Sequence, residues 1–494
     1  MSVSAPPRPP LPPVPHAQAG AASSGRAGGY SQPVVNPYPL RYPDTSSPTF
    51  MRRRAGWLLV LNLLIPGSAQ VLAGGRRLGR FGLTATLVLW ALVVLTAVAA
   101  LMWPQMLFTI ATNVFLLVLV QAVLIAYGVL WIVLTFDTLR LTRLVKLRPV
   151  ARVVVAIAGV LSMVLTGGGA LYAATSVGTA RDALGAIFGQ GGPTVPPSDG
   201  YYNILLLGAD SGEGRDSMRF DSISVVSVEA ETGAVTITGI PRDMPHFPFA
   251  EGPMKELYPD VHTNHDDLTC GWGSGINQLR TEVEVCRDGD ALYPAARANG
   301  STPAIEATKD AAEGILGIEI PYYVFIDMHG FAALVDALGG VDITVAERLP
   351  KGGGPAYSGQ SAEEWAIGWI EAGPQHMDGD TAQWYARSRY TTNDWDRMQR
   401  QRQLQEAILA QFTPTNVLGR FNEIAAAGTA LVDTDLPQSM LPYFAELALK
   451  SKELPVTTIE LTPLGGVDDV DPDYAYIREL IQQTLHPPTP TPTP

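Results

Sequence analysis

Three runs without a single charged side chain, residues 81–103, 107–135 and 153–175, constrain this chain more than any other feature. The first, as a helix rising about 1.5 Å per residue, would extend roughly 35 Å, enough to cross a hydrocarbon core of about 30 Å. Basic residues punctuate the runs unevenly. Arg76, Arg77 and Arg80 precede the first, and Arg140, Arg143, Lys146, Arg148 and Arg152 separate the second from the third. The link at Trp103 and Gln105 carries no charge. Because basic loops stay cytoplasmic, this pattern predicts a cytoplasmic N-terminus and a third span that leaves everything beyond residue 180 outside.

Residues 57–74 are also apolar, but Pro66-Gly67 and Gln70 interrupt them and basic clusters flank both ends. A re-entrant or interfacial hairpin turning at Pro66-Gly67 satisfies both facts, the alternative being a fourth span with the N-terminus outside. The membrane region is thus expected over residues 51–178. Residues 1–50 are rich in Pro, Ala, Gly and Ser, lack apolar periodicity and are expected to be disordered. No apolar core follows the first Met closely, so this segment does not read as a signal peptide.

Beyond a linker over 179–200, Gly/Pro-rich from 189 to 199, the pattern changes to alternating short strands and helices. Residues 203–208 read as a buried strand ending in a Gly turn. Residues 222–228 and 234–240 read as a hairpin closed at Glu231-Thr232-Gly233. Helices are expected over 304–316, 330–338, 378–387 and 395–412, with strands at 322–326 and 342–345. The predicted class is α/β: a multi-span α-helical anchor followed by an extracytoplasmic αβα sandwich over 201–412. Residues 413–485 then extend that domain, and 486–494 form a Pro/Thr tail.

Net charge is −13, with acidic residues dominating the second half. Nucleic acid demands a clustered basic face, so it is not an expected partner. The two cysteines, Cys270 and Cys286, lie in this half. In an oxidising compartment they would pair; two buried thiols are the alternative.

Charged residues gather at strand and helix ends. Asp210 follows the first strand; Arg219 and Asp221 precede the second; Arg242 and Asp243 follow the third. Arg387, Arg389, Asp394, Asp396, Arg397, Arg400, Gln401 and Arg402 surround the last helix boundary. Arginine pairs bidentately with phosphate, and paired carboxylates suit a divalent ion, so the set fits a metal-bridged pyrophosphate. Surface ion pairing is the competing explanation.

The stretches NILLLGAD (203–210), RFDSISVVSV (219–228), TITGIPRDM (236–244), GIEIPYYVFIDMHGFAALVDALGGVDITV (317–345) and HMDGDTAQWYARSRYTTNDWDRMQRQRQLQEAIL (376–409) occur in one order. This ordered set resembles the catalytic domain of the LytR-CpsA-Psr (LCP) family of cell-envelope enzymes. The resemblance implies a phosphotransferase that moves a glycan from a polyprenyl-pyrophosphate carrier in the membrane lipid to a peptidoglycan acceptor. It implies Mg²⁺ (or Mn²⁺) on Asp210 and Asp221. Arg219, Arg242, Arg387 and Arg389 would clasp the pyrophosphate, with Arg397, Arg400 and Gln401 in the same motif. Arg242 and Arg219 would act in catalysis, with Asp243 the candidate base. Val324, Ile326, Phe331, Leu334 and Leu338 would line a lipid tunnel, ordinary core packing being the alternative. The chain departs from the family at His262-Thr263-Asn264, where Lys or Arg is common; His262 or Lys255 would take that role. His246, His262 and His265 otherwise read as loop or surface histidines. A lipid-pyrophosphate sensor of the transcriptional-attenuator type and a pyrophosphatase on the same lipid are the rival functions.

Overall fold

A computed structural model describes residues 38–103, 109–188, 192–209, 219–263, 275–388, 390–411, 420, 423–424, 432–451 and 454–487. Its first part is helical: α1 (Pro48–Leu64), α2 (Ser68–Ala73), α3 (Arg76–Met102), α4 (Val114–Leu141) and α5 (Pro149–Phe188). Among the described residues three helices, α3 to α5, are long and apolar enough to cross a membrane. The Pro66–Gly67 turn between α1 and α2 docks on α3, where Thr86 Oγ donates to the Pro66 carbonyl at 3.1 Å. Gln70 and Asn62 turn inward, donating to Thr138 and Thr135 of α4, each at 2.9 Å. The amide groups that break the apolar pattern of 57–74 therefore join this hairpin to α4.

Helix α5 runs past residue 175, where the sequence predicted an end at the Gly-rich stretch. Close packing is the reason: a Cβ on Gly167 would come within 2.8 Å of Ile132, and one on Gly128 within 2.6 Å of Ala170. The glycines let α4 and α5 approach, and that contact offsets their poor helix propensity.

The second part is built on one mixed sheet. Its strands are β1 (Tyr201–Ala209), β2 (Phe220–Glu229), β3 (Val235–Ile240), β4 (Tyr322–Asp327), β9 (Val432–Thr434) and β10 (Thr457–Glu460), in the order β10-β3-β2-β1-β4-β9. β1, β2 and β3 are successive antiparallel neighbours, and β4 joins β1 in parallel. Gly233 closes the β2–β3 turn at φ +77°, a conformation costly for a residue with a Cβ. Two strands from the C-terminal extension complete the sheet, since β9 pairs with β4 and β10 with β3 at opposite edges.

Strand alternation assigns the two faces. One face (Leu205, Leu207, Ile223, Val225, Tyr323) packs on α6 (Pro303–Leu316), α11 (Tyr474–Leu485) and segments from residues 244–293. The other is covered by α7 (Met328–Leu338), α8 (Gly379–Arg387), α9 (Asp394–Gln411) and α10 (Leu441–Ser451). The domain is an αβα sandwich. Two small ladders, β5 (Val341–Val345) with β8 (Gly373–Met377) and β6 (Leu349–Lys351) with β7 (Gly368–Ile370), flank the second face.

Candidate functional site

The ends of β1 and β4, the start of β2 and the end of β3 meet at one rim of the sheet. The β2–β3 ladder pairs Ile223 with Ile240. Continuing that antiparallel register by two residues sets Asp221 opposite Arg242, and an Arg242 Nη1–Asp221 Oδ1 ion pair joins them. Arg242 Nε also reaches Asp243 Oδ2 at 3.2 Å, and Nη2 lies 3.9 Å from Asp394 Oδ1. Asp394 opens α9, and its other oxygen accepts from Arg397 Nη2 at 2.8 Å. Burial opposes the charge on Arg242, but the carboxylates of Asp243, Asp221 and Asp394 outweigh it and hold the guanidinium above its ordinary pKa.

Residues from three distant stretches thus form one alternating cluster: Asp221, Arg242, Asp243, Asp394 and Arg397. Asn277 completes it. Its side chain donates to Asp243 Oδ1 at 3.0 Å, and its N–H bonds the Arg242 carbonyl at 3.0 Å. No motif marks Asn277, which lies in the irregular segment after the third strand.

Behind the rim, between the sheet and α7 and α9, lies an apolar cavity of about 250 Å³. Leu206, Val226, Ile237, Ile326, Phe331 and Ile408 are among its walls. Of the expected tunnel residues, Ile326, Phe331 and Leu334 line it. Val324 lies on the same face but packs with Tyr202 and Phe444 under α10, and Leu338 is buried at the end of α7 outside the cavity walls. Cavity and cluster adjoin: wall residue Ser222 follows Asp221, wall residue Ala386 precedes Arg387, and Gln401 is itself a wall residue.

The other expected site residues divide. Arg219 is exposed one residue before β2. Arg387 is half-buried at the end of α8, with its guanidinium carbon 5.6 Å from the centre of the Trp384 ring. Gln401 donates to the Ala386 carbonyl at 3.4 Å, and its buried Oε1 has no hydrogen bond among the described residues. Arg400 points inward, donating to the carbonyls of Tyr385 at 3.1 Å and of Ser388; burial lowers its pKa. It braces the α8–α9 corner from within. Asp210, Arg389 and His265 lie outside the described residues.

His262 is placed far from any pocket donor role. It is 1% exposed, stacks on Phe247 at 4.8 Å and holds Glu282 at 2.8 Å. Tyr258 and Arg287 donate to the same carboxylate at 2.5 and 3.1 Å. Lys255 is half-buried in a short helical turn, and His246 is exposed. Cys286 is disulfide-bonded; Cys270, its expected partner, lies outside the described residues.

No group of three or more metal-ligating side chains gathers among the described residues. Asp221 nevertheless fits a hard divalent ion. Its Oδ2 takes no hydrogen bond among the described residues, and Mg²⁺ is commonly held by one or two carboxylates together with substrate phosphates.

The domain thus joins an αβα sandwich with a charged rim to an apolar cavity behind that rim, in a chain that also carries three helices of membrane-crossing length among the described residues. The LytR_cpsA_psr family model matches residues 186–246 and 292–484, and the chain belongs to that family. The polyisoprenyl-teichoic acid–peptidoglycan teichoic acid transferase TagU of Halalkalibacterium halodurans is 30% identical over 48% of this chain. The match spans 61% of that relative's length. The cell wall biosynthesis protein LcpA of Corynebacterium glutamicum is 24% identical over 70% of this chain and 67% of its own. Among solved structures, B. subtilis TagV aligns with a TM-score of 0.38 at 20% identity, covering 58% of this chain and 97% of that one.

Proposed function

We propose that the chain is a phosphotransferase that moves a glycopolymer from a polyprenyl-pyrophosphate carrier to a cell-wall acceptor such as a peptidoglycan hydroxyl. The observation that carries this reading is the junction of cavity and cluster. An apolar space ends where Asp221, Arg242, Asp394 and Arg397 converge. An amphiphile whose hydrocarbon is joined to an anion uses both at once, with the carboxylates left for a divalent ion. Membership of the family, and relatives named for transfer between a polyisoprenyl carrier and peptidoglycan, support the same substrate class.

In this reading the acceptor hydroxyl oxygen attacks the phosphorus that bears the glycan. A new P–O bond forms, the P–O bond to the polyprenyl phosphate breaks, and that phosphate leaves with the electron pair. The hydroxyl proton passes to a base, for which Asp243, oriented by Asn277, is positioned at the rim. Arg242, Arg387 and Arg397, with Arg219 and Arg389, bind the equatorial and leaving-group oxygens and spread their charge. Asp221, together with Asp210, would hold Mg²⁺ (or Mn²⁺), which when bound supplies further neutralisation of the two phosphates. Residues beyond 180 would face the outside of the cytoplasmic membrane, a reading supported by the basic loops at 76–80 and 140–152. Anchoring keeps the enzyme beside a carrier that never leaves the bilayer.

The test is a transfer assay with the full chain in lipid nanodiscs, a radiolabelled polyprenyl-pyrophosphate glycan, divalent cation and peptidoglycan oligomers. The expected outcome is label on the oligomers. Label released into water would make the protein a pyrophosphatase, and bound but unreacted label would make it a sensor; either result overturns the transferase reading.

A further inference from the structure

One row of residues crosses the cavity face of the sheet from its edge inward. Glu460 of β10 lies beside Gly239 of β3, Gly239 beside Ser224 of β2, and Ser224 beside Leu206 of β1, a cavity wall. Ser224 is fully buried. A Cβ on Gly239 would come within 2.2 Å of a Glu460 carboxylate oxygen, so the glycine lets that side chain lie across β3.

Helix α9 packs an arginine onto this row. Arg402 is 3% exposed, and its Nε lies 3.3 Å from Glu460 Oε1. Burial lowers the pKa of Arg402 and raises that of Glu460, and each charge opposes the other's shift. The far end of the guanidinium, Nη1, donates to Gln405 Oε1 at 2.5 Å, and Gln405 Nε2 donates onward to Ser224 Oγ at 3.3 Å. Glu460, Arg402, Gln405 and Ser224 thus form one chain that returns to the row where it began. Of the four, Gln405 lines the cavity.

An amide in that wall fares differently with what fills the space. Against water, a loose amide finds partners. Against a hydrocarbon it finds none, and a buried amide without partners is costly. Arg402 and Ser224 supply the partners from within the protein, so a hydrocarbon can displace water without stranding Gln405. Ser224 lies three residues along β2 from Asp221, about 10 Å of strand, so a lipid entering from the rim passes this point. Resting on the donor reading above, we infer that Arg402, held by Glu460, is a positioning residue for lipid binding, fixing the Gln405 amide so that the cavity accepts the hydrocarbon of the donor.

The test uses the full chain in nanodiscs with divalent cation and two probes, farnesyl pyrophosphate and inorganic pyrophosphate. Wild-type protein is expected to bind the farnesyl compound at least about tenfold more tightly. Arg402→Met combined with Glu460→Met removes both buried charges together. It should weaken farnesyl pyrophosphate roughly tenfold and leave inorganic pyrophosphate within about twofold. Adding Gln405→Leu removes the stranded amide and should restore affinity to within about threefold, a rescue that a merely structural ion pair would not show. Ser224→Ala, which removes only the other partner of the amide, should cost about threefold, again cancelled by Gln405→Leu. That second pair decides the matter where the doubly substituted chain fails to fold. Undiminished affinity in these variants, a loss that Gln405→Leu leaves in place, or an equal loss for both probes overturns the assignment. Wild-type protein that binds the two probes equally overturns the donor reading itself.

Discussion

Two clusters of charged side chains lie on the same domain, and they are built on opposite plans. In the rim cluster the side chains of Arg242, Asp221, Asp243 and Asp394 are 18, 37, 64 and 36% exposed, and Asp221 keeps an oxygen uncommitted among the described residues. In the inner cluster Glu282 is fully buried and accepts from Tyr258, His262 and Arg287. Burial alone would raise the pKa of Glu282, but the bonds from His262 and Tyr258 reverse that and hold it below the ordinary carboxylate value. A satisfied buried network specifies packing; a partly open one at a sheet end is available to a ligand. Charge density alone therefore does not locate a site. What locates it is open donor and acceptor capacity beside a cavity.

Substitution can break this contrast. The largest effect is expected at Arg242→Ala, which should lower the transfer rate by about a thousandfold or more. Because the side chain is partly solvated, stability should change by less than about 1 kcal/mol. A variant with wild-type transfer would remove the rim from the mechanism. Glu282→Ala should behave oppositely. Leaving His262 and Arg287 without their shared carboxylate should cost about 3–5 kcal/mol of stability, read by thermal or urea unfolding. Transfer per folded molecule should stay within about twofold of wild type. A large rate loss in folded Glu282→Ala protein would erase the distinction between the clusters.

Much of this was legible in the sequence. A continuous apolar run ending in Gly208 located β1, the turn at Glu231-Thr232-Gly233 located β2 and β3, and the antiparallel register of that hairpin brings Asp221 opposite Arg242. The uncharged runs located α3 to α5. Other features had no periodic signal. β6, β7 and β9 are three residues long and β10 four, too short to alternate recognisably, so the β6–β7 ladder and both sheet edges stayed hidden. His262 could not be placed because a histidine in a polar loop reads the same whether it faces solvent or, as here, lies against Phe247. Arg400 illustrates the same limit, since only the fold distinguishes a guanidinium aimed at a ligand from one spent on the Tyr385 and Ser388 carbonyls.

In the proposed reaction a lipid pyrophosphate lies with its hydrocarbon in the cavity behind Arg242. Photo-crosslinking tests it most directly, with a polyprenyl pyrophosphate carrying a diazirine on the isoprene unit nearest the phosphates and the full chain in nanodiscs. Peptide mapping should find the label on the walls formed by Ile326, Phe331, Ile408 and Leu409, and Arg242→Ala should diminish it. Label found only on α3 to α5, or on the sheet face packed against α6 and α11, would contradict the account.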